Sequence, residues 1–155
     1  MFEKLALIGI GLIGSSIARA TRLKGLAKTI AISTRRSETL DEARGLGLGD
    51  TYTMDAIEAV KGADLVILCI PIQAYGAVMA QIGPYLEPGA IISDVGSVKQ
   101  HVVSAMAPHV PKGVHLIPGH PIAGTEHSGP AAGFPELFIN RWCVLTPGKD
   151  VPAEA

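Results

Sequence analysis

The sequence predicts a doubly wound α/β fold: a parallel sheet between two layers of helices. Three observations carry this. Short apolar runs of strand length recur along the 155 residues, and stretches of helical spacing separate them. The apolar runs are nearly continuous rather than alternating, as strands covered on both faces require. The connections are also long enough to be the crossovers that parallel strands need.

The elements follow in order. Lys4–Ile10 is an apolar run ending in glycine and reads as the first buried strand. Leu12–Lys24 has helical spacing that places Ile13, Ile17 and Ala20 on one face. Arg22 and Lys24 stand at its end, where cations suit the negative pole of the helix. Thr29–Ser33 is the second strand and leads into the polar turn Thr34-Arg35-Arg36-Ser37. Helical residues then run to the glycine-rich stop at Gly45–Gly49. A weak third strand at Thr51–Thr53 precedes a short helix, Ala56–Lys61. Ala63–Ile70 is the clearest buried strand, closed by Pro71. A helix over Tyr75–Ile82, a turn at Pro84 and Pro88, a strand over Ala90–Asp94 and a helix over Val98–Ala107 come next, and Pro108 stops the last. Val114–Ile117 is a sixth strand, and residues 142–146 offer one more. Between them lies a glycine- and proline-rich loop from Pro118 to about Gly133, long enough that a functional role is expected. One domain over residues 1–147 is expected, with 148–155 as the start of a linker.

Composition narrows the classes of function. Hydrophobic residues make up 48% and charged residues 17%, which opposes disorder. A net charge of −1 supplies no basic field for nucleic acid and no polybasic anchor for a membrane. No apolar run reaches the roughly 20 residues of a membrane span, and the N-terminus lacks the pattern of a signal peptide. The two cysteines, Cys69 and Cys143, lie in apolar strand-like runs without metal-ligand spacing. Both are expected to be buried, reduced thiols, which fits a cytoplasmic protein with no metal site.

The chemistry begins at Gly9-Ile10-Gly11-Leu12-Ile13-Gly14, a GxGxxG between a predicted strand and a predicted helix. Gly9 permits a tight turn, Gly11 allows close approach of a pyrophosphate, and Gly14 lets helix and strand pack closely. The helix start, with Leu12 and Ile13, offers N–H groups and a positive pole to the phosphates. This is the fingerprint of a Rossmann-type, three-layer α/β/α dinucleotide site. An NAD site usually places an acid at the end of the second strand, whereas here Ser33, Thr34, Arg35 and Arg36 stand there with no carboxylate until Glu38. Two guanidiniums suit a 2′-phosphate, so NADP is the expected cofactor, with NAD possible.

Four segments then carry a resemblance: GIGLIGSS at 9–16, CIP at 69–71, DVGSVK at 94–99 and GHPIAGTEHSG at 119–129. Over nearly its whole length the chain resembles the N-terminal domain of the prephenate/arogenate (cyclohexadienyl) dehydrogenase family. The resemblance implies NAD(P)-dependent oxidative decarboxylation of prephenate or arogenate in tyrosine biosynthesis. His120 is then the catalytic group that bonds the ring hydroxyl and takes its proton, a task suited to a side chain whose ordinary pKa is about 6.5. Ser97 is expected to orient that hydroxyl, the histidine or the nicotinamide, and also to cap the following helix. Thr125 and Glu126 would line the substrate site. Cys69, Ile70, Pro71, Gln73 and Gly96 are expected beside the cofactor.

Lys99 reads equally as solvated or functional, and Asp94 as a partner for nearby backbone. His101, His109, His115 and His127 read as surface or structural. The family carries a second, all-helical domain, absent from this chain, which implies a homodimer and cationic residues for the substrate carboxylates. Without it the chain is expected to bind cofactor and turn over little. Two rivals are a β-hydroxyacid-type dehydrogenase or reductase on the same fold and a non-catalytic NADP(H)-sensing domain.

Overall fold

The computed structural model describes residues 1–153. Six parallel strands form the main sheet: β1 (Phe2–Ile8), β2 (Ala27–Ser33), β3 (Thr51–Thr53), β4 (Leu65–Leu68), β5 (Ile91–Asp94) and β6 (His115–Leu116). Their order is β3-β2-β1-β4-β5-β6, the Rossmann order. The crossovers are α1 (Leu12–Lys24), α2 (Ser37–Gly45), α3 (Ala56–Val60), α4 (Tyr75–Ile82) and α5 (Lys99–Met106). The chain runs outward from β1 to β3, then returns past β1 to add β4, so the connections diverge between β1 and β4. Ligands in such sheets bind at that divergence, beyond the carboxyl ends of the strands.

Period-two alternation assigns side chains to the two faces. Leu5 and Leu7 of β1 join Ile30, Ile32 and Leu40 in a core beneath α1 and α2. Ala6 and Ile8 join Val66, Leu68, Met79 and Val102 in a second core beneath α3, α4 and α5. Burying one such aliphatic side chain is worth about 1.5–3 kcal/mol, so the two cores dominate stability. On the α1 side, the sheet also borders an open apolar trough, lined by Leu65, Ile67, Ile91 and Ile117 with Trp142 and Leu145.

Several boundaries and faces differ from the sequence reading. Strand β1 stops at Ile8 because Gly9 takes a φ of +97°, which no strand continues. Strand β4 stops at Leu68, before Pro71, because the chain at Cys69 turns against Gly9. The fully buried residues of α1 are Gly14, Ser15, Ser16, Ala18 and Thr21; of Ile13, Ile17 and Ala20, which are half-buried, Ile17 packs against the core. Small residues face inward there because the helix lies close to neighbouring backbone. Pro108 ends α5, but the chain continues into a 3₁₀ turn over Ala107–His109. The long loop opens with a strand of its own, β7 (Gly119–Pro121), which pairs antiparallel with β8 (Cys143–Leu145). Residues 142–146 therefore add no strand to the main sheet. This hairpin is thin, so Cys143 is exposed, contrary to the expected buried thiol.

Among the described residues, no helix is long and apolar enough to cross a membrane, and no cluster of three potential metal ligands occurs.

Candidate functional site: the carboxyl edge of the sheet

At the glycine turn, three glycines have three different environments. Gly9 donates its N–H to the Ser33 carbonyl at 2.7 Å, which ties the turn to the end of β2. A Cβ at Gly9 would overlap the Cys69 carbonyl, and its positive φ disfavours any side chain. A Cβ at Gly14 would lie 2.6 Å from the Gly9 carbonyl oxygen and 3.2 Å from the Cys69 Cβ. Gly11 differs: nothing lies within 4 Å of the position its Cβ would take. It is also the N-cap of α1, and no side chain caps that end. The first N–H groups of the helix, on Leu12, Ile13 and Gly14, thus have no intrahelical acceptor. The fold needs glycine at 9 and 14, while at 11 the missing side chain leaves open space before those N–H groups. This fits a pyrophosphate at the helix start.

Beside the turn, Ser33 is buried and holds Gly9 through its carbonyl, while Arg35 and Arg36 are exposed. Among the described residues neither arginine forms an ion pair. On the other side, Cys69 donates its N–H to the Ile8 carbonyl at 2.7 Å, and Pro71 caps a 3₁₀ turn that holds Gln73. Pro71 and Gln73 are exposed and Ile70 is half-buried. The Cys69 thiol is pushed up to about 12, mainly by burial and further by the charge of Asp94. The half-buried Cys69 packs against the core beneath α1 and α2.

The next strand ends in Asp94, whose side chain is fully buried. Its carboxylate accepts the Gly96 N–H at 2.7 Å and the Gly119 N–H at 3.0 Å. Lys99 Nζ bonds both carboxylate oxygens at 2.6 Å and also donates to the Gly119 carbonyl at 2.5 Å. Asp94 thus bonds nearby backbone as expected, but it also reaches across to β7. Lys99 is not a solvated surface cation. Beneath it, the buried Tyr75 donates to the Leu68 carbonyl at 3.3 Å, and burial together with Asp94 pushes its phenol upward. A Cβ on Gly96 would crowd both Asp94 Oδ2 and the Tyr75 hydroxyl.

Ser97 is exposed and does not cap α5: the N-cap residue is Val98, and no side chain bonds that helix start. The expected capping role fails because the backbone turns one residue later, leaving the Ser97 hydroxyl unused by the helix. His120 is half-buried in β7, paired in register with Val144. Thr125 and Glu126 lie on the exposed part of the loop, where Thr125 Oγ1 accepts the His127 N–H at 3.2 Å. The loop then returns over α1, where the Phe134 N–H donates to Ser16 Oγ at 3.1 Å. The glycine turn, the 33–36 turn, the 69–73 turn, the 94–99 segment and the start of the 119–129 segment therefore share one edge of the sheet. Thr125 and Glu126 extend outward from it.

Comparison with known proteins agrees with this architecture. The profile of the prephenate dehydrogenase nucleotide-binding domain matches residues 17–155. A cyclohexadienyl dehydrogenase of Zymomonas mobilis is 44% identical over the whole chain, which covers 53% of that relative. Among solved structures, prephenate dehydrogenase from A. aeolicus, in complex with hydroxyphenyl propionate and NAD+, superposes with a TM-score of 0.89 at 27% identity. That match covers 99% of this chain and 54% of the other. Synechocystis arogenate dehydrogenase gives a TM-score of 0.88 at 32% identity, covering 97% and 52%. The chain thus spans about half the length of these relatives. Its sequence, strand order and carboxyl-edge motifs together show that it belongs to the prephenate dehydrogenase family, as the nucleotide-binding domain.

Proposed function

We propose that this chain is the cofactor-binding half of an NAD(P)-dependent dehydrogenase that converts prephenate, arogenate or both by oxidative decarboxylation in tyrosine biosynthesis. The observation that carries the reading is Gly11, open at the uncapped start of α1 on the edge that also presents Ser97 and His120. Residues 1–147 form this half, and 148–155 begin the connection to a second one. In a protein of the relatives' length, that second half would supply the cationic groups for the substrate carboxylates and the homodimer contacts. The substrate is a small molecule, and the cytoplasm is the expected compartment.

The dinucleotide would be held by Gly9, Gly11, Leu12, Ile13 and Gly14 at its phosphates. Cys69, Ile70, Pro71, Gln73 and Gly96 would flank it further along the edge. Ser33, Thr34, Arg35 and Arg36 would meet the adenosine ribose. Two exposed guanidiniums that form no ion pair among the described residues, with no carboxylate from Ser33 to Ser37, favour NADP over NAD, since an added phosphate brings two more negative charges to that turn. When bound, the nicotinamide supplies the hydride acceptor. His120 accepts the proton of the ring hydroxyl, and Ser97 orients the same hydroxyl or the imidazole. Thr125 and Glu126 border the substrate. Carbon dioxide leaves as the ring becomes aromatic, so the protein's work is chiefly positioning and proton transfer.

Calorimetric titration of the chain with NADP+ and with NAD+ tests the cofactor assignment. Tighter NADP+ binding is expected, tighter NAD+ binding would overturn the arginine reading, and binding of neither would overturn the nucleotide site. Reduction of the cofactor by prephenate or arogenate, measured in a protein of the relatives' length, tests the reaction. The chain alone should show little turnover.

A further inference from the structure

The two segments that would bear the chemistry, Asp94–Lys99 and Gly119–Pro121, are separated in sequence by α5 and β6. One ion pair joins them. Lys99 has three ammonium donors, and the structure gives them three acceptors: both oxygens of Asp94 and the Gly119 carbonyl. Asp94 in turn takes the Gly119 N–H, so the pair grips Gly119 on both sides. The grip is tight enough that a Cβ on Gly119 would lie 2.9 Å from the Asp94 carbonyl oxygen. The pair is also buried, with the Asp94 side chain 0% and the Lys99 side chain 17% exposed. Burying an ion pair is a poor way to gain stability, since desolvation offsets much of the attraction.

The local sequence explains what the grip accomplishes. Pro118-Gly119-His120-Pro121 has φ fixed at both prolines, and His120 is confined to extended backbone because a proline follows it. Gly119 is the one freely rotating joint in that stretch. Holding its carbonyl holds the peptide plane that enters His120. The same carboxylate holds the N–H of Gly96, the residue before Ser97.

We propose that Asp94 and Lys99 are positioning residues: their ion pair locks Gly119 and so sets the imidazole of His120 against Ser97. The inference rests on the proposed roles of His120 and Ser97 in the dehydrogenase reaction.

Removing one charge alone would leave the other buried, so the test uses the neutral double variant Asp94→Asn/Lys99→Met alongside Lys99→Arg. In the 155-residue chain, the imidazole resonances are read by NMR, with His120 assigned through His120→Gln. The double variant is expected to move and broaden the His120 resonance while His101, His109 and His127 keep theirs and nucleotide affinity stays within about twofold. In a protein of the relatives' length, kcat should fall about 10- to 100-fold with little change in KM, as expected for a displaced catalytic group. Lys99→Arg, which keeps the charge but not the three-way geometry, should recover part of that loss. A folded double variant with an unmoved His120 resonance and an unchanged kcat would overturn the proposal. Failure of the unsubstituted chain to bind either nucleotide would refute the dehydrogenase reading instead, and the resonance comparison does not depend on it.

Discussion

Replacing Gly11 and Gly14 by alanine separates a glycine kept for a ligand from one kept for the fold. At Gly11, φ is −76° and ψ −160°, a conformation alanine accepts, and the added Cβ meets nothing within 4 Å. Alanine is a poorer N-cap than glycine by about 0.5–1 kcal/mol. It also restricts the unfolded chain, which returns about 0.4–1 kcal/mol. The two effects nearly cancel, so Tm should move by no more than about 3 °C. At Gly14 the Cβ would stand 2.6 Å from a backbone oxygen, an overlap in the range of about 1–3 kcal/mol, partly offset by better helix propensity. A net loss of about 1–2 kcal/mol lowers Tm by about 2–8 °C in a domain of this size. Binding should show the contrast in reverse. A methyl group placed before the free N–H groups at Gly11 pushes the pyrophosphate away, and a penalty of about 1–3 kcal/mol weakens NADP+ binding roughly 5- to 150-fold. Differential scanning fluorimetry and calorimetric titration read the two effects separately. Unchanged nucleotide affinity in the Gly11→Ala chain would refute the placement of the phosphates. A loss of stability equal to that of Gly14→Ala would refute the steric reasoning.

Further outcomes are expected from other parts of the edge and core. Arg35→Ala/Arg36→Ala should weaken NADP+ about tenfold and leave NAD+ within about twofold by the same titration, because only the former brings a 2′-phosphate to the guanidiniums; equal losses for both nucleotides would refute that placement. Iodoacetamide at pH 8 should label the exposed Cys143 in the native chain and spare Cys69, whose side chain packs against the core and whose thiol is pushed up to about 12; two labels by intact mass without denaturant would contradict this. At Asp50, burial acts upward on the carboxyl but is outweighed by the N–H of Ile30 at 2.7 Å and the guanidinium of Arg22 at 2.9 Å, so its pKa is lowered. A lowered folded pKa means stability that is present above the unfolded value and lost as pH falls through the folded one. Asp50→Asn should therefore cost stability at pH 7, by no more than about 1 kcal/mol for so exposed a pair, and the deficit should shrink as pH falls through the lowered folded value. A deficit that persisted in acid would point to packing rather than charge.

Much of this protein is legible without coordinates because the governing interactions are local. Near-continuous apolar runs at 63–70 and 90–94 specify buried strands, and helical spacing between them specifies crossovers. The handedness of such crossovers then leaves few ways to order the sheet. Gly9, Gly11 and Gly14 are read the same way, since a turn and a helix start depend on a handful of adjacent residues. The sequence alone therefore determined the fold class, the place of the glycine turn and which segments reach the carboxyl edge.

What the tertiary structure decided depends on partners distant in sequence. Apolar pattern marks residues 142–146 as extended but does not name their neighbour. The neighbour is Gly119–Pro121, in a hairpin too thin to bury Cys143. Helical spacing groups Ile13 with Ile17, yet small residues turn inward on α1 because the Gly9 backbone approaches closely at Gly14 and Gly133 approaches closely at Ser15 and Ser16. Lys99 and Asp94 are ambiguous as letters, since an ammonium and a carboxylate are at home in water. Folding puts the carboxylate at 0% exposure with Gly119 within reach of both groups, which makes them a joint between two loops. Periodicity records which side of an element is buried. It does not record against what, and the chemistry of this edge depends on the latter.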